Sequence, residues 1–253
     1  MANNWTREEL IITFNLYCKI PFSKSVKGNP DVIRVANLIG RTPSAVAFKL
    51  GNFGSFDPEL KRRGIGGLPN TSRLDKEIWE EFNSNWDELA FESESLIAKI
   101  GDKPIEEIVD FDISTIPQGS NRLGLVKQRV NQSFFRTAIL SIYDRKCCIT
   151  GVSNTSLLVA SHIVPWSKDE SNRTNPQNGL CLNALHDRAF DSGLITITTE
   201  YTVQISDRLR KSHENTFLNE AFVKIENKQI SLPDKFLPDK RFLEFHNKEV
   251  FYN

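Results

Sequence analysis

The sequence predicts an α+β protein: a helical, helix-turn-helix-like N-terminal domain, then a C-terminal domain built on two strands and a helix. Three features of the chain point there. Apolar residues recur at helical spacing through the first hundred residues. Gly101, Pro104, Pro117 and Gly119 interrupt that pattern over 101–120, which reads as a linker. Short apolar runs bounded by turn residues follow residue 157. The expected domains are therefore 1–100, a helical domain, and 121–253, with a core motif at 145–195.

Taken in order, residues 5–17 form the first helix. Thr6 caps it, Glu8 and Glu9 suit its positive end, and Leu10, Phe14 and Tyr17 share a face until Pro21 stops it. Residues 31–39 make a second helix, with Val32, Val35, Ala36 and Ile39 inward and Gly40 closing it. Thr42 caps a third, with Pro43 at its first position, running to about Phe53. Val46 and Leu50 pack, leaving Ser44, Lys49 and Asn52 more exposed. Two short helices joined by a tight Gly-containing turn suit a DNA major groove. Lys49 and Asn52 on the second helix, and Lys61, Arg62 and Arg63 just beyond, are the expected DNA contacts. A plain helical hairpin and a solvated basic turn have the same pattern.

Residues 75–100 read as one acidic helix, buried along Ile78, Trp79, Phe82, Trp86 and Leu89. A further helix is expected over 131–143, with Phe134, Phe135, Ala138, Ile139 and Ile142 inward. Lys127, Arg129 and Arg136 lie in or just before it, and Lys127 and Arg129 are expected on DNA. Leu194–Ser206 alternates as a β segment about a turn near Thr199-Glu200. Residues 239–251 close the chain as a helix.

The 253 residues sum to zero net charge, but the segments differ: +6 over 1–74, −10 over 75–114, +5 over 115–146 and −1 over 147–253. Two basic segments flanking an acidic one fit a polyanionic partner. No apolar run reaches the ~18 residues that span a bilayer, and the polar start shows no signal peptide, so no membrane partner is expected. Four Cys without a disulfide framework suit the cytoplasm.

The chemistry concentrates in 158–195. His162 ends an apolar strand, Asn178 precedes Gly179 and a second apolar stretch, and His186 and Asp191 lie on a helix over 183–190 and its end. Phosphodiester hydrolysis needs a base for water, a grip on the phosphate and charge at the leaving oxygen. A neutral imidazole near pH 7 supplies a base or a metal ligand. Each residue also has a plain structural reading, and the ordered combination is what carries weight. His213 and His246 lack such surroundings and are expected to pack or lie at the surface.

The segments Ser161-His-Ile-Val-Pro-Trp166, Asn175-Pro-Gln-Asn-Gly-Leu180 and Leu185-His-Asp-Arg-Ala-Phe-Asp-Ser-Gly193 resemble the HNH endonuclease family, whose site is a ββα-metal motif. Cys148-Ile-Thr-Gly151 adds to the likeness over about 145–195, and the N-terminal part resembles bacterial restriction endonucleases. The resemblance implies His162 as general base, Asn178 as the middle residue and His186 as the helix metal ligand, with Asp191 or Asp187 supplementing it. It also implies Mg²⁺ or Mn²⁺, with Zn²⁺ or Ni²⁺ compatible with the His. The substrate is then double-stranded DNA, and the role restriction or antiviral defence. One site cuts one strand, so a duplex cut calls for a homodimer or two sequential nicks.

The sequence departs from the family twice. Ser161 stands where many relatives carry an acid or His ahead of the base. The cysteines are not paired as Cys-x-x-Cys, so no structural zinc is expected, and Cys148 and Cys181 should pack as small apolar groups. The Ser161 departure keeps open a DNA-binding regulator with a degenerate site. A nuclease acting on RNA or structured nucleic acid would share the site.

Overall fold

The computed structural model describes residues 4–68, 70–108, 121–211 and 214–252. The chain forms two compact units, Met1–Ala138 and Ile139–Asn253. Of the expected linker, 109–120 lies outside the described residues, as does His213.

The first unit is helical. Helix α1 (Arg7–Lys19) starts in a capping box in which Thr6 and Glu9 satisfy each other's backbone amides. Helix α2 (Pro30–Leu38) is capped by Asn29 and buries Val32, Val35 and Ala36. The chain then turns through Gly40 at φ +67°, a conformation that glycine adopts without steric cost. Helix α3 (Pro43–Gly54) follows the Thr42 cap. Helix α4 (Pro58–Arg62) is capped by Asp57, whose carboxylate also accepts from the Tyr17 hydroxyl at 2.9 Å. Helices α5 (Arg73–Phe82), α6 (Trp86–Ile100), α7 (Ile105–Ile108) and α8 (Arg122–Ile142) complete the order, the last running across the division between units.

Aromatic rings fill the middle of this unit. Phe14 lies 4.8 Å from Phe53 and 5.3 Å from Trp79, centroid to centroid, within the range of favourable ring pairs.

Three expectations change here. The acidic stretch 75–100 is two helices, because Asn83, Ser84 and Asn85 favour a turn and Trp86 starts a new buried face. Helix α8 begins at Arg122, since Val130 and Val126 extend the buried stripe of Phe134 one and two turns back. Lys49 and Asn52 are not exposed DNA readers: they are 8% and 1% exposed. Asp75, fully buried at the start of α5, draws both inward. It accepts from Lys49 Nζ at 2.7 and 2.8 Å and from Asn52 Nδ2 at 3.0 Å. A buried carboxylate needs such partners, and they come from α3.

The second unit carries the strands. Strand β1 (Leu158–His162) pairs antiparallel with β2 (Gly179–Asn183), His162 opposite Gly179 and Ser161 opposite Leu180. Helix α9 (Ala184–Asp191) follows β2 directly and packs on both strands. Strands β3 (Ile195–Ile197) and β4 (Val203–Ile205) form a second hairpin. Helices α10 (Asp207–Arg210), α11 (Thr216–Ala221) and α12 (Lys240–Glu249) follow.

Helix α12 packs on β3, and His246 from it is a packing residue. Its ring stacks on Phe190 at 3.6 Å, and Nδ1 lies 2.8 Å from Thr196 Oγ1. Burial holds its pKa down at about 4. Gly193, at φ +66°, lets the C-terminal segment lie close: a Cβ there would meet the Val250 carbonyl oxygen at 2.1 Å.

Candidate active site in the second unit

The β1–β2 hairpin and α9 position every residue of the site. Between the strands runs the polar loop 163–178, held shut by Asn178. This residue is 1% exposed. Its Oδ1 accepts from Val164 N at 2.8 Å, and its Nδ2 donates to the Val164 and Asn172 carbonyls at 3.3 and 3.1 Å. Asn172 in turn donates to Asp169, whose carboxyl hydrogen bonds from Ser171 and Asn172 hold below the usual range against partial burial. The Asn178 amide therefore fixes the loop's shape.

That shape sets the proton on His162. Nε2 lies 2.8 Å from the Arg173 carbonyl oxygen. A carbonyl only accepts, so Nε2 carries the hydrogen and Nδ1 holds the lone pair in the neutral ring. The Trp166 ring meets the imidazole edge-on at 5.4 Å. The Arg173 guanidinium lies over Trp166 at 5.0 Å and donates Nε–H to the Trp166 carbonyl at 2.8 Å. Burial lowers the His162 pKa, the Arg173 carbonyl bond partly restores it, and the Arg173 charge lowers it further. Burial thus favours the neutral form of the ring.

His186 is placed differently from what the resemblance implies. It is 2% exposed, edge-on to Phe222. Its Nε2–H donates to the Ala221 carbonyl at 2.9 Å, and its Nδ1 lies 2.9 Å from Asn183 Nδ2. The Asn183 oxygen caps α9 by accepting from Leu185 N and His186 N, which turns its amide nitrogen toward the ring. In this arrangement both ring nitrogens are engaged, and no lone pair faces a metal. The Cys147 thiol also contacts this ring. Burial opposes its ionisation, but hydrogen bonds with His186 and Thr150 outweigh that and bring its pKa down to about 7. Cys148 and Cys181 are buried like apolar groups, and burial pushes the Cys148 thiol up.

The next residue on α9 is turned toward β1. Asp187 is half-buried, and burial raises its pKa while the nearby Ser161 hydroxyl lowers it. The Ser161 oxygen, in a residue 2% exposed, closes no hydrogen bond of ordinary geometry. Asp191 lies one turn on. Desolvation by its surroundings, then the charge of Asp187, push its carboxyl up to about 6 although the side chain reaches the surface. Asp187 thus neighbours both Ser161 and Asp191, while His186 lies in the core. The sequence signal for Asp187 was its i,i+4 spacing to Asp191. Nothing in the sequence marked Arg173.

Residues 147–198, which contain the hairpin and α9, match the sequence model of the HNH endonuclease family. This segment is an HNH endonuclease domain. A comparison with curated proteins finds no match. The HNH domain lies in the C-terminal unit, and no helix among the described residues is long and apolar enough to cross a membrane.

Of the basic residues expected on DNA, Lys61, Arg62 and Arg63 are exposed at the end of α4, with Arg62 also paired to Glu59 at 2.6 Å. Lys127 is ion-paired with Glu88 on α6, and Arg129 is exposed beside Gln132.

A divalent cation, implied by the family, finds oxygen donors here. Among the described residues no group of three His, Cys, Asp or Glu side chains forms a closed metal cage. Asp187 and Asp191 are carboxylates of the kind that hard divalent ions take.

Proposed function

We propose that this protein is a metal-dependent endonuclease that hydrolyses phosphodiester bonds in double-stranded DNA. The observation that carries the reading is the tautomer of His162, set by the Arg173 carbonyl within an HNH domain. Nδ1 takes the proton of the attacking water, and the imidazolium that forms keeps its Nε2–H on the Arg173 carbonyl, so the ring does not reorient. Asn178 acts on this step by holding the loop that presents Arg173. Asp191 and the neighbouring oxygens would hold the cation, which supplies positive charge to the phosphate and the leaving oxygen when bound.

DNA would be gripped by the first unit. Helices α2 and α3, with the Gly40 turn, suit a helix-turn-helix. The outward side of α3 offers Thr42, Ser44 and Phe48, none of them charged. Lys61, Arg62 and Arg63 then supply phosphate contacts, which favours affinity over base readout. The resemblance of this part to restriction endonucleases extends the reading to the removal of foreign DNA.

That no three His, Cys, Asp or Glu side chains among the described residues form a metal cage favours a second reading, a DNA-binding regulator with an inactive HNH fold. Side-by-side digestion of duplex DNA, single-stranded DNA and RNA by wild type and His162→Ala separates the readings. Cleavage of duplex DNA that is lost in the variant supports the endonuclease. DNA binding without cleavage by either protein supports the regulator, and preferential cutting of RNA corrects the substrate.

A further inference from the structure

We infer that the Arg173 guanidinium binds a phosphate of the DNA backbone beside His162, exchanging its partner Glu170 for it. The inference rests on the nuclease reading for the substrate, and on the loop between β1 and β2 for the place.

Arg173 serves this loop through both its main chain and its side chain. The main-chain oxygen accepts from His162 Nε2 at 2.8 Å. The side chain turns back on Trp166: the guanidinium lies over that ring, 5.0 Å from its centroid, and Nε–H donates to the Trp166 carbonyl at 2.8 Å. The His162 ring meets the same Trp166 ring edge-on at 5.4 Å. Base and cation are therefore held against one aromatic side chain, and the cation is close enough for its charge to act on the imidazole.

The tether fixes how the guanidinium is presented. A guanidinium is planar and carries five N–H donors in a rigid fork. Here Nε–H is spent inside the loop, and the contact with Trp166 holds the plane. The terminal nitrogens are thus carried on a fixed frame rather than on a flexible stem. A fork of this kind matches two oxygens of one phosphate.

Glu170 shows that an anion is taken at this point. Its Oε1 lies 3.1 Å from Arg173 Nη2, but the Glu170 side chain is 83% exposed against 26% for Arg173. The pair joins a held cation to a solvated anion. Ion pairs this open contribute little to stability, so a phosphate replaces the carboxylate at small cost. The backbone around Glu170 is itself pinned, because Asp169 accepts from Ser171 N at 3.1 Å, Ser171 Oγ at 2.7 Å and Asn172 Nδ2 at 2.7 Å. The exchange therefore asks only the Glu170 side chain to swing away. A phosphate bound there lies next to the ring that takes the proton of the attacking water, and the guanidinium stabilises the negative charge that builds on it.

The test is binding of a duplex oligonucleotide to the full chain by fluorescence anisotropy, in EDTA and over a salt series. Arg173→Gln should bind roughly tenfold more weakly, the worth of one charged hydrogen bond, and flatten the plot of log affinity against log salt by about 0.9. Arg173→Lys loses the same tether to Trp166 and should melt as Arg173→Gln does, yet keep a salt slope near that of wild type. Glu170→Gln should bind more tightly than wild type, because the competing carboxylate is gone. Arg173→Gln binding as wild type does, Arg173→Lys falling as far as Arg173→Gln, or Glu170→Gln binding no more tightly than wild type would each overturn the assignment. Should Arg173→Gln fail to fold, Glu170→Gln alone decides by the same criterion. Arg173-dependent binding by a protein that cuts nothing with Mg²⁺ or Mn²⁺ upholds the phosphate site and removes the nuclease reading. Cleavage of duplex DNA by Arg173→Gln at the wild-type rate upholds the nuclease and removes the phosphate site.

Discussion

Nε2 of His162 donates to the carbonyl oxygen of Arg173 at 2.8 Å, and this one bond fixes which ring nitrogen can take a proton. It follows that His162→Ala should lower kcat by roughly 100- to 10,000-fold, the usual worth of a positioned base. Because the ring is partly exposed, the variant should unfold within a few degrees of wild type. Single-turnover cleavage and a thermal melt on the same preparation check both halves.

Asn178 closes the loop through three bonds to Val164 and Asn172. Asn178→Ala leaves buried backbone groups without partners, and should cost about 1–3 kcal/mol. Urea unfolding should show an earlier midpoint with an unchanged slope. The same variant should lose activity, because the Arg173 carbonyl is no longer held.

Lys49 and Asp75 form a buried pair in the first unit, 2.7 Å apart. Lys49→Ala strands the carboxylate, and should destabilise the protein by about 3–5 kcal/mol. Lys49→Ala/Asp75→Ala should lose less than the sum of the single changes in denaturant titrations. Neither change should alter the salt dependence of DNA binding, because neither side chain faces solvent.

The exposed basic trio should behave in the opposite way. Replacing Lys61, Arg62 and Arg63 by Ala should leave stability nearly unchanged and flatten the plot of log affinity against log salt. Each phosphate neutralised by a basic side chain adds about 0.9 to the steepness of that plot. Fluorescence anisotropy with a duplex oligonucleotide over a salt series reads this directly.

His246 gives a pH dependence to stability. Its folded pKa, about 4, lies below the ordinary 6.5 because burial disfavours the charged ring. The unfolded chain therefore binds the proton first as pH falls. The stability it contributes is complete above pH 6.5 and is lost progressively down to about pH 4. The size is on the order of 3 kcal/mol, from about 1.4 kcal/mol per pKa unit. In His246→Gln this part of the pH profile should flatten, as measured by urea midpoints between pH 4 and 7.

Local signals were well legible in the chain. Thr6 and Thr42 cap helices in the structure, and Leu10, Phe14, Tyr17, Val32, Val35, Ala36, Val46 and Leu50 are buried. The hairpin and helix around His162, Asn178 and His186 likewise form where the motif suggested. What the sequence hid depends on long-range partners. Lys49 reads as exposed by helical spacing, yet Asp75, 26 residues on, pulls it inward. His186 reads as a ligand by motif, yet its Nε2–H donates a hydrogen bond to the Ala221 carbonyl, 35 residues on. The role of Arg173 rests on its main-chain oxygen, which no residue pattern announces.

The most direct test of the endonuclease reading is conversion of supercoiled plasmid by the full chain with Mg²⁺, Mn²⁺ or EDTA, wild type beside His162→Ala. The account predicts nicked or linear DNA with wild type and either metal, none with EDTA, and none with the variant. Plasmid left intact by wild type, or cut equally by His162→Ala, would contradict it.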